Sequence, residues 1–315
     1  MYVIKEKPED FVVEEVFDFV PGKGPYSYYL MEKRNITTLD ACSRIAKALH
    51  IPCKYIKWAG NKDKLAVTRQ HISIYKAQNA EKPNLADIKL TFLGQSMVQM
   101  HLGAHASNRF VITVRDVTEK NLDTDKVPNY FGEQRFSSNN AEVGKMIVKR
   151  EFKKASEMIE NESVQRHLSK NPNDHIGAIR ELPSTLLKLY VHSYQSLLWN
   201  RVAGLCLSTK ENIEVQIIGF GTIIGTDKIS NSVKQVMEQE GINSRDFIIR
   251  EIPLASVEGG ARKLYMEVKD FECEWSDDEA HKDKKKAVLR FLLPKGSYAT
   301  VLIRHLFGEN LNNPQ

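Results

Sequence analysis

The sequence predicts an α+β fold in which a strand-rich domain is interrupted by a helix-rich one. Three observations predict it. Short apolar–polar alternations fill the first part of the chain, helical periodicity takes over from Asn140, and alternation returns in the tail. Tail strands that complete a sheet begun near the N-terminus account for this pattern, with the helical stretch as an insertion. The expected boundaries are 1–140 and 256–315 for the discontinuous domain, and 141–255 for the inserted one. At 315 residues the chain has room for both.

Taken in order, Phe11, Val13, Val16 and Phe17 alternate with acids and predict a strand at about 10–17. Pro21-Gly22-Lys23-Gly24-Pro25 is a turn, and 26–33 a second strand. Thr38 caps a helix with Leu39, Cys42, Ile45, Ala46 and Leu49 on one face. Two alternations, 55–58 and 67–75, flank a turn. Residues 84–95 and 108–116 read as strands. Asn140 is the expected cap of a long helix carrying Val143, Met146, Ile147 and Ala155. A second helix spans about 184–207, and a third about 231–240, capped by Ser230 or Asn231 and stopped by Gly241. Residues 215–218 form a strand. The tail gives strands at 264–268 and 287–293 around a charged, solvated tip at 276–286, then a helix from Ser297.

The net charge of +5 is mildly basic and permits a nucleic-acid partner without demanding one. The four cysteines are scattered, with no C-x-x-C pair, which speaks against a disulfide framework or a zinc site and for a reducing cytoplasm. No apolar run approaches a membrane span, and the N-terminus has no signal-peptide architecture. Gly219-Phe220-Gly221 fails the G-x-G-x-x-G pattern, so no dinucleotide site is expected. His71, His101 and His105 lack metal-ligand spacing and read as hydrogen-bonded or solvated side chains. No cofactor or metal is expected.

Three stretches carry candidate chemistry. In Ala59-Gly60-Asn61-Lys62-Asp63-Lys64 a tight turn between two strands sets one acid, Asp63, between two lysines. A catalytic carboxylate needs such a seat, and an ordinary surface turn looks the same on spacing alone. Pro128-Asn129-Tyr130-Phe131-Gly132-Glu133-Gln134-Arg135-Phe136 packs aromatics among polar groups that would each need a partner in a core. It reads as a surface built to hold something flat and polar. Lys145, Lys149 and Lys153 recur at i, i+4 and i+8, either as a phosphate-contacting stripe or as a solvated helix face. Arg69 and Arg135 are further candidates for phosphate contact.

The first two of these stretches, the first of them continued to Gln70, with 5–13, Asn108-Arg109-Phe110, Tyr194-Gln195-Ser196, Gly260-Ala261-Arg262 and 293–300, resemble the TruD-type tRNA pseudouridine synthases, the archaeal members above all. The resemblance spans nearly the whole chain. It implies a pseudouridine-synthase catalytic domain, a mixed antiparallel sheet with flanking helices, interrupted by an inserted α/β TRUD domain. It implies isomerisation of uridine in tRNA at position 13, with other structured RNAs as further partners. It assigns Asp63 as the catalytic aspartate. Phe11, Asn129 and Tyr298 would line the uridine pocket, with Phe131 beside the acid and Lys5 as a basic residue near it. Tyr298 stands where other members have Phe, and Ser137-Ser138 where relatives often have Gly. A cytoplasmic monomer is expected.

The chemistry fits the residues. Breaking the N1–C1′ bond and rejoining the uracil through C5 needs neither redox nor metal. One carboxylate can attack covalently or take the C2′ proton. One partner, Lys5 or an arginine such as Arg262, is expected to orient the acid rather than switch it on. Aromatic faces and the Asn129 amide would offset the cost of flipping the base. The alternative is a non-catalytic RNA-binding protein that keeps the fold.

Overall fold

The computed structural model describes residues 2–76, 85–137, 139–209 and 211–308. In chain order the elements are β1 (Phe11–Val16), β2 (Tyr26–Arg34), α1 (Thr38–Ala48), β3 (Ile56–Trp58), β4 (Val67–Tyr75), β5 (Ile88–Ser96), β6 (Ser107–Val117), α2 (Asn140–Val148), α3 (Phe152–Met158), α4 (Glu162–Lys170), α5 (His175–Arg180), α6 (Ser184–Cys206), β7 (Glu214–Ile217), α7 (Lys228–Glu240), β8 (Gly260–Lys263), β9 (Lys269–Asp277), β10 (Lys285–Pro294) and α8 (Ala299–Phe307). They form two compact units. One comprises Met1–Asp125, Glu267–Ala299 and Leu306–Glu309; the other includes Lys126–Met266 and Thr300–His305.

The first unit holds a mixed sheet, eight-stranded among the described residues, in the order β5-β2-β4-β1-β6-β10-β9, with β3 also on β4. Only β1 and β4 run parallel. This register matters for the site. One edge of β4 pairs with β2 along its whole length. The other edge is shared: β1 takes Val67–Arg69 and β3 takes Ile72–Ile74. The turn carrying Asp63 springs from this handover. Beneath the sheet, α1 buries Ala41, Cys42 and Ile45 against Met31, Ile56, Ile72 and Ile74. The cap is Thr37, whose side chain accepts from Asp40 N, and not the expected Thr38. Thr38 is buried and put to another use, described below.

In the second unit α6 is the central helix, with Tyr194, Leu198, Trp199 and Val202 wholly buried. The Trp199 indole donates to Val215 O at 3.0 Å, and the Tyr194 hydroxyl to Glu240 Oε2 at 2.9 Å. Helix α2 lies so close to α6 that a Cβ on Gly144 would sit 2.1 Å from Tyr190 O. Gly241 ends α7 at φ +62°, as expected, but the N-cap is Asp227, which accepts from the backbone of Ile229 and Ser230. Among the described residues no helix is long and apolar enough to cross a membrane.

Several expectations are corrected. The long helix from Asn140 stops at Val148, because Arg150 turns to φ +61° and Ala155 belongs to α3. The expected strand at 264–268 is no strand. Leu264 and Met266 are buried, and their backbone pairs singly with Ile213, Asn129 and Val127, so the apolar run ties segments together instead of entering a sheet. The strand follows it as β9. The 276–286 tip is not merely solvated: Asp278 is buried and accepts from Arg115 NH1 at 2.8 Å. The strand expected at 84–95 begins at Ile88, and position 84, like Ser138, lies outside the described residues.

Gly144→Ala is expected to destabilise the second unit by about 1–3 kcal/mol, since the methyl must push two helices apart. Urea unfolding followed by Trp fluorescence measures it, and an unchanged midpoint would refute the close approach.

Candidate active site

The strand pattern sets the acid's seat. On β1, Phe11, Val13 and Glu15 share the buried face, so Glu15 is a charge carried into the core by period-2 alternation. Its side chain is fully buried, and an ion there needs a partner. Lys62 supplies one, its ammonium bonded to Glu15 Oε1. The second carboxylate oxygen accepts from His71 N at 2.9 Å, on the edge of β4 where β1 has left and β3 has not yet joined. On β2, Tyr29, Met31 and Lys33 share a buried face in the same way. The Lys33 ammonium donates to Ile36 O at 2.7 Å and to Asp63 O at 2.8 Å. Burial pushes Lys33 down to about 8, against the opposing pull of Asp63.

Thr38 Oγ1 accepts from Lys62 N at 2.9 Å and donates to Gln70 Oε1, while Gln70 Nε2 reaches Gly60 O. The Trp58 indole holds Asn61 Oδ1 at 2.9 Å. The turn from Gly60 to Asp63 is thus held by side chains from four elements. Its backbone has one conformation to offer, and its acid points where that conformation sends it.

Asp63 is half-exposed, and its Oδ2 accepts from Lys5 Nζ at 2.5 Å. Lys5 adopts φ +58° and lays its ammonium 4.2 Å above the Phe11 ring. Phe11 is 3% exposed and edge-on to Phe110. Its visible work is to seat Lys5. The chain around Lys5 is pinned in turn. Asp10 accepts from Lys7 N and receives Arg115 through both carboxylate oxygens, at 3.0 and 2.9 Å. Tyr298 stands half-buried in this unit, immediately before α8. Lys64 is exposed, and Lys62, the other lysine beside the acid in sequence, turns away to Glu15. His71 and His105 are buried, and burial lowers both below the ordinary histidine value, so both are neutral near pH 7.

The second unit holds another cluster. Asn200 brackets Phe131, accepting from its N–H at 2.9 Å and donating to its C=O at 3.0 Å. The Arg262 guanidinium lies 4.2 Å from the Phe131 ring centre and 5.4 Å from that of Trp199. Arg262 also donates to Asn129 O and Asn129 Oδ1, each at 2.7 Å, and Asn129 Nδ2 donates to Lys263 O. The flat polar group that this motif holds is therefore an arginine of its own chain. Asn129 is 7% exposed, with its side-chain oxygen engaged by that arginine.

The phosphate candidates disperse. Arg69 is paired with Glu32 at 2.7 Å and Glu14 at 3.8 Å. Arg135 Nε donates to Ser196 Oγ. Lys145 is bound to Glu240 at 3.1 Å, Lys149 caps the end of α2, and Lys153 lies on α3. The expected stripe is no single helix face. Sequence reasoning missed Glu15, Lys33 and Arg115. The first two left a readable signal, a charge in phase with a buried strand face.

A family model described as tRNA pseudouridine synthase D (TruD) matches residues 2–166, 156–214 and 204–306. Similar curated proteins include the "Probable tRNA pseudouridine synthase D" of Methanosarcina barkeri, 30% identical over 96% of this chain and 92% of that one. The "tRNA pseudouridine synthase D" of Aquifex aeolicus is 29% identical over 98% and 99%. A crystal structure described as the "Putative tRNA pseudouridine synthase D (TruD)" of Methanosarcina mazei matches with a TM-score of 0.75 at 27% identity, covering 98% of this chain and 93% of that one.

Lys33 makes a prediction about pH. Between about 8 and its ordinary value of 10.5, the folded protein releases the Lys33 proton while the unfolded chain keeps it. The unfolded state then binds more protons, so this group raises stability as pH climbs through that window. Wild type is expected to gain on the order of 2–3 kcal/mol more than Lys33→Met between pH 8 and 10.5, by urea unfolding. Parallel pH profiles would contradict the burial of a titrating lysine.

Proposed function

The chain belongs to the TruD family of tRNA pseudouridine synthases, and from that premise we propose that it isomerises uridine to pseudouridine in tRNA, at position 13, with Asp63 as the catalytic carboxylate. The observation that carries the reading is the Lys5–Asp63 contact at 2.5 Å on a turn whose backbone is fixed by buried groups. Pre-set geometry is what either route requires. In one, the carboxylate attacks C1′ as N1 leaves and is itself displaced when C5 bonds to C1′; in the other, it takes the C2′ proton as N1 leaves and gives it back when C5 bonds to C1′. In both, the N1–C1′ bond breaks, C5 bonds to C1′ and loses its proton, and N1 ends protonated, so substrate and product are isomers.

Lys5 orients the acid through Oδ2. Lys33 sets the height of the turn through the Asp63 carbonyl, and Phe11 keeps Lys5 from swinging. Tyr298, in the unit that carries Asp63, is proposed to offer an aromatic face to the uracil, and in the second unit the Arg262 guanidinium, held by Phe131 and Asn129, is proposed as a polar contact for the RNA. The second unit is proposed as the inserted TRUD domain.

Carbodiimide mapping of tRNA after incubation tests the reading. Asp63→Asn is expected to bind tRNA with near wild-type affinity and to lose about 10³-fold or more in rate. Lys5→Ala is expected to fall about 10–100-fold in kcat with KM little changed, as for a lost orienting contact. A fully active Asp63→Asn would remove Asp63 from the chemistry. Wild type that binds tRNA and leaves no pseudouridine would favour the non-catalytic alternative.

A further inference from the structure

Where the second unit grips RNA is not given by the lysines, since Lys145 is committed to Glu240 and Lys149 and Lys153 sit on different elements. The break that scatters them builds something else. At φ +61°, Arg150 turns its guanidinium inward, where NH1 donates to Val148 O and Asp246 O and NH2 to Ile248 O at 2.6 Å. That cation is fixed. It forms part of the wall of a cavity of about 370 Å³ lined by Arg150, Arg245, Ile248, Arg250 and Glu251.

Arg245 and Arg250 are exposed at this cavity, and among the described residues their guanidinium groups have no hydrogen bond or ion pair. The backbone under Arg245 is rigid. Asn243 accepts from Arg245 N at 2.9 Å, and Asp246 accepts from Asn243 N at 2.7 Å. Glu251 is the one acid in the lining, and its carboxylate lies 3.8 Å from Arg150 Nε, so Arg150 serves as its counterion. Arg180 donates to Glu251 O at 2.8 Å from the neighbouring α5 and adds a further positive charge. Two forked cations are left over around a concave space that holds only one apolar side chain, Ile248.

We propose that this arginine pocket is a phosphate-binding site that takes the sugar–phosphate backbone of the substrate RNA; the inference rests on the RNA-modifying function proposed above. Guanidinium forks match two phosphate oxygens at once, which an ammonium cannot do. The lining offers no aromatic platform and no amide to read a base, so the site is blind to sequence and contributes affinity and register. It is a contact of the inserted unit with RNA, separate from the group that reacts.

The test is filter binding of an unmodified tRNA transcript across a salt series, with tRNA turnover measured in parallel, for wild type, Arg245→Ala/Arg250→Ala and Arg245→Gln/Arg250→Gln. Both variants change exposed side chains, and the second keeps a polar side chain without the charge. Two lost phosphate contacts are expected to weaken binding by about tenfold or more at 0.15 M salt and to lower the slope of log K against log [salt] by about 2. The rate at saturating tRNA is expected to stay at the wild-type value. Affinity within twofold of wild type and a slope lowered by less than about 0.5, for a folded variant of an enzyme that modifies tRNA, would overturn the pocket. Absence of modification by wild type would instead overturn the functional reading, and the two failures are therefore distinct.

Discussion

The buried pair of Glu15 and Lys62 is the constraint on which the first unit's site depends. Strand β4 cannot satisfy one edge with a single neighbour, because β1 arrives in parallel for three residues and β3 replaces it further on. The handover leaves the His71 N–H without a strand partner, and Glu15 fills that place. A carboxylate buried there would be costly alone, and removing one member of such a pair leaves a bare charge at about 3–5 kcal/mol. Lys62 must therefore come in to meet it, and Asp63, the next residue, is delivered to a set position. A defect in sheet pairing becomes the device that aims the acid.

The same logic recurs at two more places around that acid. Lys33 is buried with both its hydrogen bonds on carbonyls, one of them that of Asp63. Arg115 is buried between Asp10 and Asp278, which joins the N-terminal segment to the β9–β10 hairpin. Neither charge is well placed for stability, since apolar residues of the same volume would pack at no desolvation cost. Each does what an apolar residue cannot: it fixes the position of a backbone carbonyl or of the chain beside Lys5. The half-exposed Lys5–Asp63 contact is thus the outermost of a series of polar contacts whose inner members are dry. Rigidity is concentrated around the carboxylate proposed to react.

Much of this was legible in the sequence, and the reasons for the rest are local. The strands were readable because one face of each is buried and the side-chain period is 2. The Asp63 turn was readable because Gly and Asn sit between two alternations. Thr38 is not the cap, although two adjacent threonines are equally able to cap; which one does so is decided by the buried Gln70 and the Lys62 N–H, tertiary partners absent from the helix's own sequence. The tail run at 264–268 failed because an apolar stretch that pairs singly with two separate segments, 127–129 and Ile213, has the same pattern as a strand. The lysine stripe failed because nothing in a helical period announces a residue such as Arg150 that leaves it at positive φ.

The cluster at 128–136 has a partner inside its own chain. Its aromatics and amides were read as a holder for a flat, polar, hydrogen-bonding group, and the structure holds one: the guanidinium of Arg262, stacked on Phe131 and bonded to Asn129. A guanidinium and a uracil share planarity and in-plane hydrogen-bonding edges, so a sequence motif for one resembles a motif for the other. They differ in charge and in donor count, since arginine has five donors and no acceptor. With Asn129 Oδ1 and O both accepting from Arg262, the motif's first partner is internal. What it presents outward is then governed by a cation held over an aromatic ring, a surface suited to a base edge rich in carbonyl oxygens and to the anionic backbone that carries it.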